Sequence, residues 1–104
     1  MDYIAKMLEK IQSEVFRRWL SGIRDRNARA RILVRLDRMA QGNPGDVKPL
    51  GSGLSEARIN YGPGYRLYFS RSGASVFVLL AGGDKRPQKT DIAHALKIMQ
   101  EWKD

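Results

Sequence analysis

The chain has 104 residues with a formal net charge of +8, enough for one domain around a modest core, 1–104, and basic enough to point to a polyanionic partner before a protein substrate. It has no cysteine and a single histidine, His94, which argues against a disulfide framework, a thiolate metal site or a histidine-built zinc site within one chain. The N-terminus lacks the apolar centre of a signal peptide and no run is long enough to cross a membrane, so a cytoplasmic protein without membrane association is the default expectation.

In residues Met1 to Gln12, the positions Ile4, Met7, Leu8 and Ile11 fit a helical stripe better than a strand alternation. Ser13 before Glu14 reads as a helix cap, followed by Val15, Phe16, Trp19, Leu20 and Ile23 at helical spacing. Asp25 caps a second helix with a core stripe of Ala28, Ile32, Leu36 and Met39, stopped by Gly42, Asn43 and Pro44. The short link predicts a helical hairpin. The second helix also carries Arg26, Arg29, Arg31, Arg35 and Arg38, either a solvated face or a surface for RNA phosphates or an acidic protein. Asp46 to Leu50 reads as a loop with Lys48 near the sheet edge. A last helix follows Pro87, with Ile92, Ala95, Leu96, Met99 and Trp102 packing on the core.

Between Gly53 and Lys85 the pattern predicts three antiparallel strands: Ala57 to Tyr61, Tyr65 to Arg71 and Ser75 to Ala81. Gly62-Pro63-Gly64 and Ser72-Gly73-Ala74 are the turns, and Gly82 and Gly83 end the last strand. Alternation puts Leu67 and Phe69 on one face with Ala57, Ile59 and Tyr61. Arg58, Asn60, Arg66 and Tyr68 fall on the other, where Lys85 and Arg86 close a cationic surface.

The sequence carries no phosphate-binding loop, nucleophile elbow or HExxH motif. Glu56 and Asp84 are the only carboxylates near the patch, too few for a two-metal nuclease. A metal-independent route is open for RNA: the 2′-hydroxyl attacks its own 3′-phosphate while arginines stabilise the phosphoryl oxygens. No cofactor is called for.

The strings GLSEARINYGPGYRLYF and LLAGGDK, followed by Gln88 and Asp91-Ile92, resemble the RelE/ParE superfamily of toxin–antitoxin toxins. Within it they are most similar to the HigB-like, phage-derived "addiction module killer" subgroup. FRRWLSGIRDRNARARILVRLDRMAQGNPGDVKPLG resembles that subgroup's helical hairpin and loop, so the similarity covers Ser13 to Trp102. It implies an α+β fold: a helical hairpin on a small twisted antiparallel sheet, with a C-terminal helix and a first strand before the hairpin, here about Met7 to Gln12. It further implies a ribosome-dependent mRNA endoribonuclease neutralised by a cognate helix-turn-helix antitoxin. Arg66, in GYR, matches the contact to the scissile phosphate, and Arg58 and Lys85 complete the catalytic set. Asn60, Tyr65, Tyr68, Arg86, Gln88, Lys89 and Lys48 are the RNA-binding candidates. The subgroup's late tyrosine falls at Ile92. The superfamily also holds ParE-like toxins that inhibit DNA gyrase, so that activity and a catalytically inactive RNA- or antitoxin-binding module remain alternatives.

Overall fold

The computed structural model describes residues 9–73, 76–86 and 88–103. In chain order the elements are β1 (Glu9–Gln12), α1 (Glu14–Ser21), α2 (Arg26–Ala40), β2 (Val47–Gly51), β3 (Leu54–Ile59), β4 (Tyr65–Ser72), β5 (Val76–Asp84) and α3 (Gln88–Lys103). The strands form one sheet in the order β1-β5-β4-β3-β2. The fold is α+β, as expected, but the sheet is mixed: β1 pairs with β5 in parallel and the other pairings are antiparallel.

Both caps read from the sequence are present. The Ser13 hydroxyl accepts from the Phe16 N–H at 3.0 Å and donates to the Leu80 carbonyl at 2.6 Å, tying the start of α1 to β5. The Asp25 carboxylate accepts from the Asn27 and Ala28 N–H groups at 2.9 and 3.3 Å, satisfying donors that a helix start leaves free.

The sheet is covered on both faces. Phe16 of α1 and Ile32, Leu36 and Met39 of α2 bury Ala57, Ile59, Leu67, Phe69, Phe77 and Leu79. On the other face Ala95 and Met99 of α3 bury Leu54, Tyr68, Val78, Leu80 and Ala81. Successive residues should change face, yet Leu80 and Ala81 both join the α3 cluster. The pairing shift between Tyr68 and Phe69, which sets them opposite Ala81 and Leu79, accounts for this: Leu80 is an extra residue on β5.

Four expectations are corrected. Residues 9–12 form the edge strand that the family resemblance implied and not the helical stripe that periodicity favoured, because β5 offers them a parallel partner; Met7 and Leu8 lie outside the described residues. Asp46 to Leu50 is not a loop: β2 pairs with β3 across most of it. Gly82 and Gly83 do not end the last strand, which runs to Asp84. Trp102 is not a core residue but is 47% exposed. The expected turn residue Ala74, the strand start Ser75 and the helix-starting Pro87 lie outside the described residues.

The two glycines act as spacers. A Cβ on Gly82 would fall 2.2 Å from the Trp19 ring of α1, and one on Gly83 would fall 2.0 Å from the Asp91 carboxylate of α3. Helices approach this end of β5 from both faces because neither residue has a side chain.

Candidate functional site

The site is assembled at the end of the sheet where β3 turns into β4. Gly62 and Gly64 have φ of 56° and 82°, a region that glycine enters without strain, and the Gly64 N–H closes the turn on the Tyr61 carbonyl at 3.0 Å. The turn fixes the register in which Arg58 of β3 lies directly opposite Arg66 of β4, with Gly83 of β5 next in line. Lys85 follows β5 and packs beside Gly64. The result is a shallow concavity of about 320 Å³ lined by Arg58, Asn60, Tyr65, Arg66 and Lys85 around the glycine turn.

Like charges directly across a strand pair repel, so two opposed arginines need compensation. Each has a carboxylate. Arg66 bonds Glu56 at 2.5 Å, with side-chain exposures of 13% and 0%. Gln88, at the start of α3, donates to both Glu56 oxygens at 3.3 and 3.0 Å. Arg58 bonds Asp46 at 3.0 Å in a pair that is open to solvent. Its backbone carbonyl in turn accepts from both terminal nitrogens of Arg35 on α2, at 3.0 and 2.7 Å. Burial lowers the Arg35 guanidinium from its ordinary value, against the pull of Asp46. Lys85 is exposed and, among the described residues, has no carboxylate partner. Three cations against two carboxylates leave the cluster with one net positive charge.

The remaining candidates separate. Asn60 is exposed on the rim. Tyr65 lines the concavity but leans to the hairpin side, its ring 6.2 Å from that of Trp19; burial and then Asp25 hold its hydroxyl above the ordinary tyrosine value. Tyr68 does not reach the exposed surface assigned to it. It is fully buried under α3, and its hydroxyl has no hydrogen-bond partner among the described residues. Burial, followed by Glu56 and Asp91, pushes its pKa far up. Alternation assigned its face correctly, but α3 covers that face. Arg86 is exposed and bonds Asp84 at 3.0 Å, so it neighbours the concavity without lining it. Gln88 serves Glu56. Lys89 is exposed on the first turn of α3, and Lys48 stands on the edge strand β2 in register with Glu56; neither lines the concavity.

Glu56 is the residue that sequence reasoning undervalued. It is visible as a carboxylate near the patch, but its burial depends on α3. Asp91 is another: its Oδ2 is buried over Gly83 without a partner among the described residues, and burial followed by repulsion from Asp84 raises its pKa. Its place directly before the apolar stripe of the last helix was the available signal. Chemically, the concavity offers guanidinium and ammonium groups that fit an anion of phosphate size. Among the described residues, no histidine or carboxylate lines it. Among the described residues, no three His, Cys, Asp or Glu side chains converge as a metal-holding group, and no helix is long and apolar enough to cross a membrane.

Residues 18–103 match the family model described as phage derived protein Gp49-like (DUF891), a span that contains every residue of this concavity. A Haemophilus influenzae protein, described only as an uncharacterized protein, is 41% identical over 86 residues, 83% of this chain and 87% of that one. The chain therefore belongs to the Gp49-like phage-derived protein family, a toxin–antitoxin-associated family related to RelE-type toxins.

Proposed function

We propose that this chain is a single-domain, HigB-like toxin of a type II toxin–antitoxin system, acting in the cytoplasm as a ribosome-dependent mRNA endoribonuclease. The observation that carries the reading is the meeting of Arg58, Arg66 and Lys85 around one shallow concavity. In this role the concavity holds the scissile phosphate of an mRNA strand presented by the ribosome. The 2′-oxygen attacks phosphorus, the 5′-oxygen leaves, and a 2′,3′-cyclic phosphate forms. Arg66, held by Glu56 through one nitrogen, presents its other donors to the phosphoryl oxygens. Arg58 adds a second guanidinium to the charge that builds in the transition state. Lys85, which has no carboxylate partner among the described residues, donates a proton to the departing 5′-oxygen, while the proton of the 2′-hydroxyl passes to water. Asn60 and Tyr65 border the strand's path.

Toeprinting of a translated mRNA with purified protein tests the reading. New, position-specific stops that vanish with Arg66→Ala support it. No cleavage on translating ribosomes, with Arg66→Ala as toxic as the parent, refutes it. The second reading is a non-nuclease toxin acting on DNA gyrase. It draws on one observation: Arg58 and Arg66 are already held by carboxylates, and among the described residues no histidine or carboxylate lines the concavity for acid–base work. Inhibition of gyrase supercoiling without RNA cleavage favours it over the first.

A further inference from the structure

The most unusual surface outside this concavity is on α2. Leu33 and Val34 are 46% and 49% exposed, two of the three large apolar side chains exposed among the described residues. Val34 lies in a groove between α2 and the end of β3, about 480 Å³ in volume. Its apolar lining is Ala30, Val34, Ile59 and Tyr61, its cations are Arg31, Arg35 and Arg38, and among the described residues no carboxylate lines it. Ala30 and Val34, four residues apart, are neighbours on one helix face.

The chemistry of the groove favours a peptide over RNA. Arg35 is committed to the Arg58 carbonyl. The Tyr61 ring is covered by the Arg31 guanidinium, 4.5 Å from its centroid, so it is not free to stack on a base. What remains for a ligand is an apolar floor with guanidinium groups beside it. That arrangement matches an apolar side chain flanked by carboxylates. The groove is also continuous with the phosphate-sized concavity, because Ile59, Asn60 and Tyr61 line both.

We propose that this groove docks a short acidic segment of the antitoxin, with one or two apolar side chains seated between Ala30 and Val34 and carboxylates beside Arg31 and Arg38. The proposal rests on the toxin–antitoxin reading and adds the place and chemistry of the contact. A segment seated there reaches the rim of the concavity at Asn60, so docking and neutralisation share one surface.

The test uses the full chain, the small protein encoded by the adjoining reading frame, short overlapping peptides tiling that protein, and a single-stranded oligouridine. Affinities are read by fluorescence anisotropy, and thermal unfolding checks that each variant folds. An acidic peptide should bind the parent chain. Val34→Arg and Arg38→Glu should each weaken it about tenfold, while Lys97→Ala, on exposed α3 surface, leaves it unchanged. Oligouridine should bind Val34→Arg at least as tightly as the parent, since that change adds a cation. Amide shifts on titrating the peptide should centre on Asn27, Ala30 and Tyr61, which locates the contact without any variant. If the neighbouring protein binds but both variants bind it as the parent does, the groove proposal falls and the toxin–antitoxin reading stands. If no peptide binds and Val34→Arg only tightens oligouridine, the groove is an RNA path and the proposal is overturned. If the neighbouring protein does not bind at all, the partner reading falls and takes the groove with it.

Discussion

Helices on the two faces of the sheet meet β5 at adjacent glycines, yet the contacts they make there differ in kind. On the hairpin side, Trp19 rests on Gly82 and the cluster beneath it is apolar. On the α3 side, Asp91 rests on Gly83, and nearby lie the buried Glu56, its partners Arg66 and Gln88, and the unpartnered hydroxyl of Tyr68. An apolar layer tolerates a small loss of volume; a buried polar cluster penalises the loss of any one partner. Both faces bury an apolar cluster, and the α3 face encloses in addition the polar group that holds Arg66 in place.

The sharpest break in this comparison is Glu56→Ala. It strands the mostly buried Arg66 guanidinium, and loss of one partner of a buried pair costs about 3–5 kcal/mol. Denaturant unfolding should show that loss, and the double variant Glu56→Ala/Arg66→Met should recover much of it. Near-parent stability for Glu56→Ala would place the pair in solvent rather than under α3.

Next come the glycines. Gly82→Ala drives a methyl into the Trp19 ring and should cost about 1–3 kcal/mol, relieved by Trp19→Leu. At Gly83→Ala the nearest atoms belong to the Asp91 carboxylate, so Asp91→Ala should relieve it more completely and also remove a buried oxygen that has no partner among the described residues. Equal rescue on both sides would erase the distinction between the faces.

A smaller effect follows from Asp91 itself. Its folded pKa is raised above the ordinary 3.8 by burial, then by Asp84. The folded state thus binds the proton more tightly than the unfolded state. Its contribution to stability is present at low pH and is lost as pH rises from 3.8 through the raised folded value. Asp91→Asn should remove that decline and raise the melting temperature at neutral pH, as thermal scans across acidic to neutral pH will show. Asp84 runs the other way: Arg86 holds its pKa below the ordinary value, so its stabilisation is lost as pH falls.

The smallest stability change belongs to Arg58→Ala. Its pair with Asp46 has side-chain exposures of 38% and 47%, where an ion pair is worth under about 1 kcal/mol. RNA affinity should nevertheless fall, with the salt dependence of binding shallower by about one ion. A large stability loss with unchanged RNA affinity would make Arg58 a structural residue.

How far the sequence carries can be judged from particular residues. Ser13 and Asp25 cap helices through bonds to N–H groups within three positions, so their roles are local and legible. The Gly62-Pro63-Gly64 turn is legible for the same reason. It sets Arg58 opposite Arg66, which is why the arginines of the concavity could be named in advance. Gly82-Gly83 misleads because a glycine pair reads the same whether it ends a strand or admits helices against it. Ile11 misleads because a short segment with helical spacing became a strand once β5 offered it a parallel edge.

The chain alone determined its caps, its central turn, the alternation that separates Leu67 from Arg66, and an excess of cations. The tertiary structure decided which polar groups leave water. Packing of α3 turned Tyr68 from an exposed platform into a buried ring and Glu56 from a nearby carboxylate into the anchor of Arg66. Caps and turns are set by bonds between residues a few positions apart. Desolvation depends on a helix that begins more than thirty residues after Glu56, and no local pattern encodes where that helix will lie.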